Sequence, residues 1–433
     1  MIDFKQKDLE RKDGHLWIGG CDTVELARKF KTPIYVINER LIRTRFNQLK
    51  DVLKQNYENF RIHYAAKANT NISILKILLK EGACLDCVSC GEIYAALQVG
   101  FTPQQIIYTG NNFTNEELEF ALSKGVIINL DALSQITRLY KIMENTHLPC
   151  DLLSFRVNPE FGSGHHNHTI TAGPEIKFGI LEGSIIEAYK TATDLGFKKF
   201  GIHMHIGSGI MEIEPFKIAA EKFLAIAERI HEELGITFEF IDFGGGIGIP
   251  YRPREQPFNL SEYASTILSL FKEKLNKSAM GNPTFCIEPG RFIVAESTII
   301  LSQVNTIKQA ANKQFVGIDA GFHNLVRPAM YDSHHEVVIA NKVDQLPEAE
   351  YEIAGPLCES GDILAKRRNL PIIQEEDILA ILDAGAYGFT MASNYNMRPY
   401  AAEILVRDGR AYVIRERQSY DDLLQKQNIP EFL

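Results

Sequence analysis

Apolar residues along this chain follow two rhythms. Short, nearly continuous runs alternate with longer stretches in which apolar positions recur every three or four residues. The runs are 61–68 (RIHYAAKA), 84–89 (CLDCVS), 106–110 (IIYTG), 126–131 (VIINLD), 152–158 (LLSFRVN), 199–207 (KFGIHMHIG), 238–246 (FEFIDFGGG) and 284–291 (TFCIEPGR). Helix-period segments such as 71–82, 114–125 and 214–235 lie between them, each closing at a glycine. Thr114 with Glu117 three residues on has the pattern of a capping box. Eight β-then-α units in succession predict a closed parallel (β/α)8 barrel of the TIM type. An open doubly wound sheet can use the same number of strands, so the count alone leaves both open.

After about residue 298 the pattern changes. The runs 298–310, 314–320, 336–343, 378–389, 403–409 and 411–418 are separated by turns with little helix between them. This texture predicts a second, mostly antiparallel β domain. Residues 15–20 (HLWIGG) and 33–38 (PIYVIN) are also strand-like and can return to it. The expected division is a barrel over 37–298, with 1–36 and 299–433 forming the β domain.

Composition narrows the class without changing this picture. The 433 residues are 45% hydrophobic and 23% charged, ordinary for a folded chain of more than one domain. Forty-six Lys and Arg against 55 Asp and Glu give a net charge of −9, which argues against a nucleic-acid partner. The first fourteen residues mix charges of both signs around no apolar segment, unlike a secretory signal. The most apolar stretches, such as Phe292 to Val304, are broken by Glu296 or other polar residues, so no membrane span is expected. Seven cysteines are too sparse and odd in number for a disulfide framework, which points to a reducing cytoplasm.

The unusual residues sit where the runs end, and in a parallel barrel that is where chemistry collects. The first run ends in Lys67-Ala68-Asn69, the sixth in His203-Met204-His205-Ile206-Gly207-Ser208, the seventh in Gly244-Gly245-Gly246 and the eighth in Glu288-Pro289-Gly290-Arg291. A lysine in an apolar run is costly unless its amine is paired, neutral or reaches water. Bare glycine amides can cradle a phosphate, and a tight turn explains the same run. Neither a P-loop nor a dinucleotide fingerprint fits, because no Gly-Lys-Ser/Thr follows and position 249 is Ile.

Three other clusters carry less. Cys84, Cys87 and Cys90 have metal-like spacing but no evident fourth ligand nearby. The histidines of 164–168 (GHHNH) diverge on a glycine-rich loop, and His335-Glu336 lacks the second histidine of a zinc-protease helix. No metal is expected. A lysine able to form a Schiff base, an imidazole, a glycine cradle and a carboxylate together suggest pyridoxal 5′-phosphate (PLP).

These motifs, beginning with Tyr64-Ala65-Ala66-Lys67-Ala68-Asn69, resemble those of the fold-type III PLP-dependent decarboxylases. The segments 327–332 (RPAMYD), 355–362 (GPLCESGD) and 383–388 (DAGAYG) are similar to those of the branch that acts on diaminopimelate. The resemblance runs in family order from about residue 15 to the C-terminus. It implies a barrel plus β domain, and decarboxylation of meso-2,6-diaminopimelate to L-lysine and carbon dioxide, the last step of lysine biosynthesis. It also implies that Lys67 holds PLP covalently and that His205 lies against its ring. Gly244, Gly245, Gly246, Ser208, Gly290 and Arg291 would surround the phosphate. Glu288 would face the pyridine nitrogen, with Tyr387 close to the cofactor. Arg291, Arg327 and Tyr331, with Tyr387, would bind substrate. Cys358 as proton donor and Glu359 as a substrate contact would enter from the second subunit of a homodimer. Gly209 stands where many members carry Gln, and the 160–176 loop departs from the commonest form.

Two alternatives stay open at this point. A related decarboxylase of ornithine, lysine, arginine or a carboxylated polyamine would use the same chemistry. Arg327 favours a dicarboxylic substrate over these, because a guanidinium pairs with a far carboxylate. A PLP-binding regulatory protein without turnover predicts damage at Lys67 or Cys358, and both are intact.

Overall fold

A computed structural model describes residues 4–164, 166, 169–173 and 175–433. The chain divides into two compact units. One comprises Arg43–Pro250 and Gln256–Ile293; the other comprises residues up to Ile42, Tyr251–Glu255 and Val294–Leu433.

The chain opens with β1 (Leu9–Lys12), β2 (His15–Ile18), β3 (Cys21–Asp22), α1 (Thr23–Phe30), β4 (Ile34–Asn38) and α2 (Glu39–Asn56). Next come β5 (Phe60–Ala65), α3 (Ile72–Glu81), β6 (Cys84–Cys87), α4 (Cys90–Val99), β7 (Ile106–Tyr108), α5 (Asn115–Lys124), β8 (Ile127–Leu130) and α6 (Leu133–Thr146). The series continues with β9 (Leu153–Asn158), the two-residue β10 (Ile180–Leu181), α7 (Glu182–Asp194), β11 (Phe200–Met204), α8 (Glu214–Leu234), β12 (Phe238–Asp242), α9 (Leu260–Ser278) and β13 (Thr284–Ile287). Parallel pairing runs β5–β6–β7–β8–β9–β11–β12–β13 and returns to β5, so the sheet closes. The open-sheet alternative is thereby excluded.

Closure explains the sequence pattern. A parallel strand in a barrel is covered on both faces, so it reads as a continuous apolar run. β6, β7, β9 and β11 are buried along their whole length. The helices begin and end where local chemistry dictates. The Thr114 hydroxyl accepts from the Glu117 amide and the Glu117 carboxylate from the Thr114 amide, the reciprocal cap expected there. Such a cap is worth about 1 kcal/mol.

The other unit continues with β14 (Thr298–Ala310), β15 (Lys313–Ile318), β16 (Val337–Ile339), β17 (Ala349–Ala354), β18 (Ile363–Leu370), β19 (Ile378–Ile381), β20 (Ala402–Arg407) and β21 (Arg410–Arg415). They form one sheet with β4, in the order β18-β17-β15-β14-β4-β20-β21, with β19 bridging β14 and β16. Every pair is antiparallel except β15–β17 and β20–β4. Along β14, Ile299 and Leu301 enter one apolar cluster and Ile300 another, so both faces of the strand are buried. Both strand-like pieces of the N-terminal segment lie in this unit, where Leu16 and Ile18 join the apolar cluster of Ile299 and Leu301. PIYVIN supplies β4 to this sheet, whereas HLWI pairs within a separate three-stranded sheet, β1–β2–β3. Among the described residues no helix is long and apolar enough to cross a membrane.

Candidate active site

β5 ends at Ala65, and a single 3-10 turn over Ala66–Ala68 then carries Lys67. The amine of Lys67 donates to Oδ2 of Asp86 at 2.7 Å. Asp86 lies on β6 directly opposite Ala65 and is fully buried, whereas the Lys67 side chain stays one-third exposed. A buried carboxylate therefore balances a lysine whose side chain is partly exposed. Asp86 escapes the sequence reading, although a carboxylate inside the apolar run CLDC is the same signal that singles out Lys67.

The neighbouring strands β11, β12 and β13 supply the next groups. His205 follows β11 and accepts at Nδ1 from the Gly245 amide at 3.1 Å. Burial, with the Arg156 and Lys67 charges and His203 nearby, holds its pKa well below the usual imidazole range. His205 is thus neutral near pH 7, with its other nitrogen carrying the proton. Gly244 adopts φ +69°, and a Cβ there would stand 2.3 Å from the Met204 carbonyl oxygen. The glycine run therefore exists partly for packing, because only a residue without a side chain lets this loop lie against the end of β11.

Glu288 follows β13 and is 4% exposed. Its Oε2 accepts from Nε2 of the fully buried His203 at 3.0 Å, and its Oε1 faces the Thr109 hydroxyl at 3.5 Å. Behind it, Asp242 Oδ1 accepts from the Gly244 amide at 2.8 Å while Oδ2 faces His63 Nδ1 at 3.3 Å. Arg291 donates to the Ser208 hydroxyl at 3.1 Å. The turn holding Gly290 packs against that of Lys67: a Cβ on Gly290 would meet the Ala65 and Ala68 methyls at 3.1 and 3.0 Å. Lys67, His205, Ser208, Gly244–Gly246, Glu288, Gly290 and Arg291 are thus gathered around the C-terminal ends of adjoining barrel strands. Arg156 and Asp86 belong to the same set; Arg156 is 8% exposed and reaches the carbonyls of Thr171 and His205.

The remaining expected residues belong to the β-sheet unit. Arg327 is 1% exposed, and its guanidinium donates to the Tyr251 hydroxyl and His335 Nε2, both at 2.9 Å. Tyr331 ends the same short helix, Arg327–Tyr331, and is half-buried. Tyr387 occupies a turn at φ +57° after Asp383, which the Lys7 amine holds at 2.8 Å. Cys358 and Glu359 are exposed; the Glu359 carboxylate accepts from the Tyr395 hydroxyl at 2.8 Å. Of the other clusters weighed in the sequence, Cys84 and Cys87 lie buried on β6 and Cys90 opens α4. His165, Asn167 and His168 fall outside the described residues.

The donor set fits PLP. One strand-end lysine offers the amine for its aldehyde, and a buried carboxylate, anchored from behind, offers an acceptor for its ring nitrogen. A neutral imidazole can lie against an aromatic ring, and glycine turns flanked by Ser208 and Arg291 can take its phosphate. Barrel and site together define a PLP-dependent enzyme of the barrel type.

The comparisons agree. Residues 39–295 match the family described as "pyridoxal-dependent decarboxylase, pyridoxal binding domain". The chain is 51% identical to a diaminopimelate decarboxylase of Methanothermobacter thermautotrophicus over 98% of each sequence. The crystal structure of the enzyme of that name from M. jannaschii superposes with a TM-score of 0.92, at 34% identity over 99% of both chains. This chain belongs to the diaminopimelate decarboxylase family. A lysine/ornithine decarboxylase from Vibrio vulnificus, at 20% identity and TM-score 0.74, shares the fold.

Proposed function

We propose that this protein decarboxylates meso-2,6-diaminopimelate, giving L-lysine and carbon dioxide. Full-length identity of 51% to a diaminopimelate decarboxylase carries the reading, and a second M. jannaschii structure of the family has L-lysine bound. Because the product is the L isomer, the carboxylate lost is the one on the D centre. The site residues above are assigned to these roles as part of the proposal.

Bound PLP supplies the electron sink for the pair left when the bond from Cα to the carboxylate breaks. The chain's residues do the rest. Lys67 would hold the cofactor through its aldehyde, and Asp86 is placed to balance the lysine's charge. Glu288 would accept a hydrogen bond from the ring nitrogen and so favour the nitrogen's protonated form. His205, being neutral, would lie against the ring without opposing that charge. Ser208, Gly244–Gly246, Gly290 and Arg291 anchor the phosphate.

Arg291, Arg327, Tyr331 and Tyr387 orient the substrate, Arg327 offering a bidentate partner for its far carboxylate. Cys358 returns a proton to Cα, and Glu359 pairs with the distal ammonium, both reaching the site of a second copy. Their exposure in the single chain supports a homodimer with shared sites. A cytoplasmic location fits the free cysteines.

The test is carbon dioxide release from meso-, LL- and DD-diaminopimelate, L-ornithine and L-lysine under equal conditions. Release from the meso isomer should dominate. Faster release from ornithine or lysine would replace this reading with that of a related amine-forming decarboxylase.

A further inference from the structure

We propose that His203 is a positioning residue: by donating to Glu288 from within the barrel, it fixes the carboxylate that serves the cofactor's ring nitrogen. The inference rests on the placement of Glu288 proposed above.

The geometry supports it from several sides. His203 sits on β11 with no exposed surface, and its Nε2 lies 3.0 Å from Glu288 Oε2. The other ring nitrogen, Nδ1, is buried with no hydrogen-bond partner. A neutral ring with its single proton on Nε2 satisfies that arrangement, leaving Nδ1 bare. Donation to one oxygen holds the carboxylate in one orientation.

The alternative pull on that proton is Asp242, since the ligand atoms of His203, Asp242 and Glu288 lie within 4.8 Å of one another. One Asp242 oxygen accepts from the Gly244 amide; the other lies 3.3 Å from His63 Nδ1 without a hydrogen bond. Burial opposes charge on His63, but its Cys286, Asp242 and Cys84 neighbours outweigh it and raise its pKa well above the usual range. Thr109 faces the second Glu288 oxygen, and Arg156 is a further charge near the carboxylate. Without His203, Glu288 Oε2 would lose its 3.0 Å hydrogen bond, and Oε1 would keep the longer contact to Thr109 at 3.5 Å.

The experiment compares two cofactors on full-length protein stripped and reloaded: PLP, and its deaza analogue with carbon in place of the ring nitrogen. Dissociation constants are measured by equilibrium dialysis for wild type, His203→Leu, His203→Gln, Glu288→Gln and the Leu/Gln double variant. A charge-assisted hydrogen bond lost at the ring nitrogen corresponds to about tenfold or more in affinity. His203→Leu and Glu288→Gln should each weaken PLP by about that factor while changing the deaza analogue less than about twofold. The double variant should be no worse than either single one, and His203→Gln, which keeps an N–H donor, should recover most of the loss. If His203→Leu does not fold, His203→Met replaces it. Equal weakening of both cofactors, or of neither, overturns the proposal. If Glu288→Gln fails to separate the two cofactors while Lys67 still carries the reduced pyridoxyl group, the placement of Glu288 itself is wrong and the proposal falls with it.

Discussion

Lys67 and Asp86 form an ion pair of 2.7 Å between neighbouring parallel strands, with the carboxylate fully buried and the amine partly open. Removing only the lysine leaves a buried charge without its counter-ion, which costs more than the pair contributes. In cofactor-free protein, Lys67→Ala should therefore lose stability, and the Lys67→Ala/Asp86→Asn double variant should recover part of it. The recovery should be about 1–2 kcal/mol, discounted because water reaches the amine. Urea unfolding of the four proteins measures this coupling; additive losses would show that the pair is not coupled.

Glu288 offers the second test. Glu288→Gln should retain PLP, although more weakly, and lose turnover. One charge-assisted hydrogen bond is worth about 1.5–3 kcal/mol, or roughly one to two decades in rate. Steady-state kcat on meso-diaminopimelate at saturating cofactor is the measurement. Turnover near wild type would show that Glu288 points elsewhere.

The two tests rest on residues of unequal visibility. Barrel strands declare themselves as apolar runs because both faces are covered, and Lys67, His205 and Glu288 stand out as polar groups at the ends of such runs. Asp86 is hidden because its run reads first as a cysteine pattern, and only the register with Ala65 shows what it faces. His203 is visible in its motif, but its role depends on Glu288, 85 residues away. Strands β17 (AEYEIA) and β18 (ILAKRRNL) are missed for a different reason: their polar and cationic positions are ordinary for an exposed sheet face and give no continuous run. Pairings between distant segments leave no local mark. The return of β4 to the second sheet is legible only because PIYVIN carries a run of apolar residues up to Ile37.

His205 makes acid sensitivity testable. Its folded pKa lies well below the unfolded value near 6.5, so below that pH the unfolded chain binds a proton the folded one does not. The stability it contributes is present above about pH 6.5 and is lost as pH falls through and below that point. Between about pH 6.5 and 5, wild type should lose more stability than His205→Gln. The difference should be at most about 1.4 kcal/mol per pH unit, and less because the ring is only half-buried. Denaturant unfolding of both proteins across this range decides it; parallel curves would mean that the imidazole is protonated in the folded state.

Shared sites predict complementation. Lys67→Ala and Cys358→Ala should each be nearly inactive alone. Subunit exchange between them should produce mixed dimers with one site carrying both lesions and one carrying neither. Random pairing into two-fold dimers makes half of them mixed, so activity should rise towards about a quarter of wild type. If mass analysis verifies exchange and the mixture stays inactive, each site is built within one chain.

The central claim joins one reaction to one lysine, and product analysis on meso-diaminopimelate tests both. Wild-type protein should release one carbon dioxide for each L-lysine formed, as read by chiral chromatography and gas evolution. Lys67→Ala, loaded with the same cofactor, should form neither. Undiminished turnover in Lys67→Ala, or no L-lysine from wild type under conditions where another amino acid is decarboxylated, would contradict the account.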